Sequence, residues 1–134
     1  TEEGAPNQIL YHFLEKNIIF LEQKGFSPIF HLKFMTDLSH HLGFYPNQSH
    51  LKEDYFNLES GCFCSSSRSK HVIGGDLVIT LKKILGTNFE DLNDLKIPNS
   101  LRIKVLNVLI DYFNLHLHGI GKIKSLDILH EIFR

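Results

Sequence analysis

The sequence predicts a mainly α-helical domain of five or six helices with one small inserted β-hairpin. Three observations predict it. Apolar residues recur at helical intervals along most of the chain. Glycine or proline closes each such stretch. One segment, residues 55–64, breaks the pattern by alternating aromatic residues around a Glu-Ser-Gly turn signal. With 134 residues the chain is the size of one domain around a single core, so residues 1–134 read as one unit.

From Asn7 to about Lys24, the residues Ile9, Leu10, Phe13, Leu14, Ile18 and Leu21 lie at helical spacing, and Gly25 ends the run. For the next helix, Ser27 is positioned to cap the free amides and Pro28 suits the first helical position. Phe30, Phe34, Leu38 and Leu42 form its stripe. Gly43 can take the left-handed conformation that closes it, and Pro46 and Asn47 keep it from continuing. The two helices read as an antiparallel pair.

The hairpin at about 55–64 follows, then a polar loop from Ser65 to Lys70 that is expected to be mobile. Asp76 is a candidate cap for a helix carrying Leu77, Leu81, Ile84 and Leu85 and stopping at Gly86. A shorter turn through Phe89, Leu92 and Leu95 ends near Pro98. The longest helix runs from about Ser100 to Leu117. Leu101, Val105, Val108, Leu109 and Tyr112 form its main stripe, and Ile103, Leu106 and Ile110 extend around its side, so it is expected to lie centrally. Gly119 and Gly121 break it, and Ser125 can cap a last helix carrying Leu126, Leu129, Ile132 and Phe133.

Composition excludes several classes. A hydrophobic share of 43% with 22% charged residues is not that of a disordered chain. The longest aliphatic-aromatic run, Ile18 to Leu21, is far short of the roughly 20 residues of a spanning helix. The acidic start Thr1-Glu2-Glu3-Gly4 does not read as a secretory signal, and the missing initiator Met reads as a processed chain or a trimmed fragment. Cys62 and Cys64 are the only cysteines, which excludes a disulfide scaffold and points to a reducing, cytoplasmic compartment. The net charge is −1, yet residues 65–134 carry ten Lys/Arg against seven Asp/Glu, which permits nucleic-acid binding without establishing it.

Candidate chemistry is sparse. Cys62, Cys64, His50 and His71 flank the hairpin and are ligands of the kind zinc prefers, but one C-x-C with scattered histidines departs from paired zinc-ligand spacing. His40-His41 and His116-x-His118 lack the i, i+4 spacing of a hydrolytic zinc helix and read as surface or interface residues. No phosphate-cradling glycine motif is present, and Gly74-Gly75 reads as a helix-initiating turn. The basic couples Arg68/Lys70, Lys82/Lys83, Arg102/Lys104 and Lys122/Lys124 would neutralise phosphates or an acidic peptide if the fold gathers them on one face. The eleven Phe fall mostly on helical stripes, which assigns them to the core.

Three segments in order carry a family resemblance. They are His41-Leu42-Gly43-Phe44-Tyr45-Pro46, then Tyr55-Phe56-x-Leu58-x-x-Gly61-x-x-Cys64, then Tyr112-x-x-x-His116-Leu117 with Lys124-Ser125-Leu126 beyond. From about Asn7 to Phe133 the chain resembles the C-terminal domain of the bacterial recombination mediator and DNA repair protein RecO, in a Bacteroidetes-like form. The resemblance implies an N-terminal OB-fold that this chain does not contain. It implies a non-enzymatic protein that binds and anneals DNA, partners RecR, and acts on strands coated by single-strand-binding protein so that the RecA recombinase can load.

Many members carry a four-cysteine zinc module where this hairpin lies. Here Cys64 takes the third ligand place, the fourth falls near Ser67, and the first pair would lie in residues 47–54, which hold no Cys. The hairpin therefore reads as a degenerate remnant without metal, its stability supplied by burial of Tyr55, Phe56 and Phe63, while Cys62 is extra and leaves open a degenerate site with Cys64 and His50 or His71. The family also receives the acidic, Phe-ending tail of single-strand-binding protein on this domain, beside basic residues early in the helix that ends in L-G-[FY]. That place matches Lys33, while the second basic place holds Leu32. Lys33 is thus the expected partner contact, and Lys82, Lys83, Arg102, Lys104, Lys122 and Lys124 are the expected anion or DNA contacts, with no membrane and no small-molecule substrate. The competing expectations are a helical interaction or structural domain with no DNA role and, more weakly, a metal-dependent enzyme using the Cys/His cluster.

Overall fold

The structure is a computed structural model and describes residues 4–24 and 29–117. Four α-helices, a 3-10 helix and a small sheet follow in the order α1 (Gly4–Lys24), α2 (Phe30–Leu42), β1 (Tyr55–Asn57), β2 (Cys62–Cys64), β3 (Val72–Ile73), α3 (Asp76–Leu85), the 3-10 helix (Phe89–Asp94) and α4 (Asn99–Leu117). The mainly helical class with one β insert is as the periodicities require. The expected features at Gly25, Ser27, Pro28, Gly119, Gly121 and the last helix from Ser125 lie outside the described residues, as do Lys122 and Lys124.

Helix α2 closes as its sequence predicts. Gly43 sits at φ 96, its N–H meets the His40 carbonyl at 3.3 Å, and the Phe44 N–H reaches the Ser39 carbonyl at 2.9 Å. This is the paired bonding that a left-handed residue makes possible at a helix end. Helix α3 starts one residue earlier than a cap at Asp76 would place it. Gly75 holds the cap position, its carbonyl takes the Val78 and Ile79 N–H groups, and Asp76 is the first helical residue, where its charge complements the helix dipole.

The hairpin is larger than its sequence signal. Strand β1 pairs antiparallel with β2 on one side and with β3 on the other, so Phe56 lies opposite both Phe63 and Ile73. Strand β3 has two residues, too few for an alternation to register. The Ser65–Lys70 loop between β2 and β3 is exposed throughout.

Among the described residues the helix that meets the most others is α2, where periodicity favoured α4. Helix α2 packs against α1, α3 and α4, and it buries Lys33, Thr36 and Ser39 along with Phe30, Leu32, Phe34, Met35 and Leu38. The two hydroxyls are satisfied locally: Thr36 Oγ1 donates to the Lys33 carbonyl at 2.8 Å, and Ser39 Oγ donates to the Thr36 carbonyl. Small polar side chains that bond back to their own helix let neighbours approach closely. Helix α4 buries Val105, Leu109, Tyr112, Phe113 and Leu117, whereas Ile103 and Ile110 are 51% and 43% exposed.

Among the described residues, four side-chain hydrogen bonds that join distant segments each end on a backbone carbonyl. Lys33 Nζ donates to Ile84 at 3.3 Å and Lys82 Nζ to Glu53 at 2.8 Å. Tyr112 Oη donates to Phe44, and His116 Nε2 meets Leu58 at 2.7 Å. The last two come from consecutive turns of α4 and fix both the segment after α2 and the hairpin turn. Around them Phe44 stacks on His116 with ring centres 5.1 Å apart, and Phe56 lies 5.7 Å from Tyr112 and 4.8 Å from Phe63. Gly61, at φ 72, passes so close that an added Cβ would stand 3.0 Å from the Tyr112 hydroxyl.

Tyr112→Phe keeps the ring and removes the donor to the Phe44 carbonyl. It should lower unfolding free energy by about 1–3 kcal/mol with helical content unchanged, read by urea denaturation; an unaltered midpoint would show that the bond contributes nothing.

Candidate functional site

Helix α2 is flanked by two surface grooves. The first, about 570 Å³, lies between the start of α2, the segment after the 3-10 helix and the start of α4. Ile29, Leu92, Leu95, Ile97 and Pro98 give it apolar walls, and Lys96 and Arg102 line it as well. Its described lining holds no carboxylate. The Arg102 guanidinium is oriented by a hydrogen bond to Asn99 Oδ1 in the same turn. The second groove, about 740 Å³, lies between α1, α2 and the 3-10 helix and mixes aromatic rings with Lys16, Asp37 and Glu90.

Lys33 is placed differently from the exposed cation the sequence led us to expect. It is 7% exposed, its Nζ faces the Ile84 carbonyl at the end of α3, and the Asp37 carboxylate lies 3.4 Å away. Burial raises the Asp37 pKa, opposed by the Lys33 charge and hydrogen bond and by His41 and His40. One turn earlier the Lys33 backbone N–H binds the Ile29 carbonyl at 3.2 Å, so this residue is tied to the wall of the first groove.

The other basic candidates among the described residues differ in their surroundings. Lys82 is spent internally, donating to Glu53 and lying 5.5 Å from the centre of the Phe63 ring. Lys83 and Lys104 are exposed on α3 and α4, Arg102 lines the first groove, and Arg68 and Lys70 sit on the exposed loop. Lys96 was not singled out by sequence, because it stands alone in a linker; its only signal was a cation between two apolar residues, Leu95 and Ile97, before Pro98.

The cysteine cluster does not converge. Cys62 Sγ turns back to the Ser60 carbonyl at 3.6 Å and Cys64 Sγ turns forward to Ser66 at 3.5 Å, while His50 is exposed and His71 half-buried. Among the described residues no group of three or more His, Cys, Asp or Glu side chains could hold a metal ion. Of the histidine pairs, His41 packs on Phe13 with ring centres 4.3 Å apart, His40 is exposed, His116 is part of the fold, and His118 lies outside the described residues.

The family model described as Recombination protein O C terminal matches residues 1–127. Curated relatives that match this chain carry the name DNA repair protein RecO. That of Christiangramia forsetii is 37% identical over 98% of this chain and 55% of its own length. That of Flavobacterium johnsoniae is 35% identical over 98% and 55%. That of Bacteroides fragilis is 32% identical over 98% and 56%. The chain therefore spans about half the length of the curated relatives it matches. No solved structure matches it. No helix among the described residues is long and apolar enough to cross a membrane.

Two outcomes follow from this geometry. Lys33→Glu should cost about 3 kcal/mol or more, because it sets a carboxylate against Asp37 and a carbonyl, whereas Lys33→Met should cost about 1 kcal/mol. Urea unfolding of both variants decides it. Burial also holds His31 and His41 below the ordinary histidine value of 6.5, with the His40 charge adding to the effect at His41. Their contribution is complete above that value and is lost as pH falls through it, because the unfolded chain then binds more protons. Tm should drop as pH falls below about 6.5, and His41→Phe should flatten the drop. Asp37, with its raised pKa, acts with the opposite sign in its own lower window, gaining stability as pH falls.

Proposed function

The chain belongs to the recombination protein O family as its C-terminal domain, and on that premise we propose that it is a non-enzymatic recruitment module of a recombinational DNA repair mediator. It receives the acidic, Phe-ending tail of single-strand-binding protein in the groove between α2, the 3-10 helix and α4, and it contributes contacts to RecR and DNA in the cytoplasm. The observation that carries this reading is the charge of that groove. Apolar walls suit a terminal aromatic ring, and Lys96 and Arg102 suit its carboxylates.

Lys33 acts in this reading as a positioning residue. Its ties to Ile84 and Ile29 hold the start of α2 where Ile29 forms the groove wall. Lys83 and Lys104 are exposed and, with Arg68 and Lys70 on the loop, are cations open to a DNA backbone, and the greater share of DNA affinity belongs to an OB-fold in the full-length protein. The hairpin is read as a zinc module that has dispensed with its metal. Its buried Phe56 and Phe63 and the anchors from α4 support this. A net charge of −1 and the internal use of Lys82 favour the second reading, a helical interaction domain without a DNA role.

Fluorescence anisotropy separates the two. A labelled acidic peptide ending in Phe should bind at physiological salt, lose affinity when the Phe is removed, and bind about tenfold more weakly to Lys96→Ala/Arg102→Ala. Equal affinity in that variant would remove the groove from the proposal. Absence of single-stranded DNA binding even at low salt would favour the second reading.

A further inference from the structure

The second groove has a chemistry opposite to the first. Asn17, on α1, is 5% exposed and lines it. Its Nδ2 donates to the Phe13 carbonyl at 2.7 Å, which fixes the amide orientation, since an oxygen could not face that acceptor. Its Oδ1 is left buried with no hydrogen-bond partner. A buried acceptor without a donor is an unmet demand that a ligand's N–H group would satisfy. The Asp37 and Glu90 carboxylates stand in the same lining, together with the aromatic residues Phe13, Tyr45 and Phe89. Lys16 is the one lining group among those described that is always cationic, and it is exposed.

Acceptors and aromatic rings around one space are complementary to a group that is flat or compact, cationic and rich in N–H donors. We propose that the groove between α1, α2 and the 3-10 helix is a docking site for a basic side chain, arginine above all, carried beside an apolar residue on a partner's peptide. The guanidinium has donors enough for Asn17 Oδ1 and a carboxylate at once, and its plane can lie on an aromatic face. Asp37 already answers Lys33 at 3.4 Å, so Glu90 and Asn17 Oδ1 are the groups with capacity for a newcomer. An acidic segment would meet both carboxylates here, so the occupant differs in charge from that of the first groove and the two can bind together.

The test uses the intact chain and a labelled peptide of sequence Gly-Leu-Arg-Leu-Gly, with Leu in place of Arg as the control. The arginine peptide should bind, the control should bind at least about tenfold more weakly, and added acidic peptide should not displace it. Asn17→Leu removes the orphan acceptor while the Phe13 carbonyl keeps its helical partner. It should weaken binding about fivefold or more with Tm unchanged or raised, a combination that a purely structural Asn17 would not give. Glu90→Lys should weaken it further. Equal binding of the control, or unchanged affinity in both variants, would overturn the assignment.

Discussion

The hydrogen bonds from consecutive turns of α4, Tyr112 to the Phe44 carbonyl and His116 to the Leu58 carbonyl, are the constraint on which the arrangement depends. Between α2 and α3 the chain runs for some thirty residues with strands of only two or three residues, too little ladder to hold a shape alone. The two donors seize that insert at its entrance and at its turn. Phe44, Phe56, Phe63 and Phe113 then close around them in the core. Burial raises the Tyr112 pKa above its ordinary range, with the nearby Cys62 adding to it, so the phenol is a standing donor.

Anchoring the insert leaves α2 free to act as the hub. It meets three helices because its polar residues ask for little space or find partners within reach. The same hub separates two grooves of different charge, one bordered by Lys96 and Arg102 and the other by Asp37 and Glu90. Lys33 is the link between these roles, bonded to α3 and paired with the carboxylate that lines the second groove.

Much of the fold was legible in the sequence. Helical spacing and glycine stops located α3, α4 and the end of α2 to within one residue, because those signals are local, whereas α2 starts at Phe30 with Ile29 in the cap place, two residues beyond the start that Ser27 and Pro28 suggested. Which helix is central was not legible. Periodicity registers the apolar residues and is blind to a buried Lys33 or Ser39, and it credits Ile103 and Ile110 with a burial they do not have. The site was less legible still. Basic couples in sequence sit on different faces of a helix, so Lys82 turned inward while Lys83 stayed out. The Tyr112-x-x-x-His116 spacing was visible as a motif, but only the fold reveals that both side chains serve the hairpin.

That the four long-range side-chain bonds end on main-chain oxygen has an evolutionary consequence. A carbonyl is offered by every residue, so the receiving positions Phe44, Glu53, Leu58 and Ile84 owe nothing to these bonds in their side-chain identity. Only the donors are constrained by them. Mutations at donor and receiver then need no compensating partner, and such tethers leave no paired substitutions behind them. A lineage can rewrite its loops while the same few donors keep the layout, and its members can drift apart in sequence faster than in form.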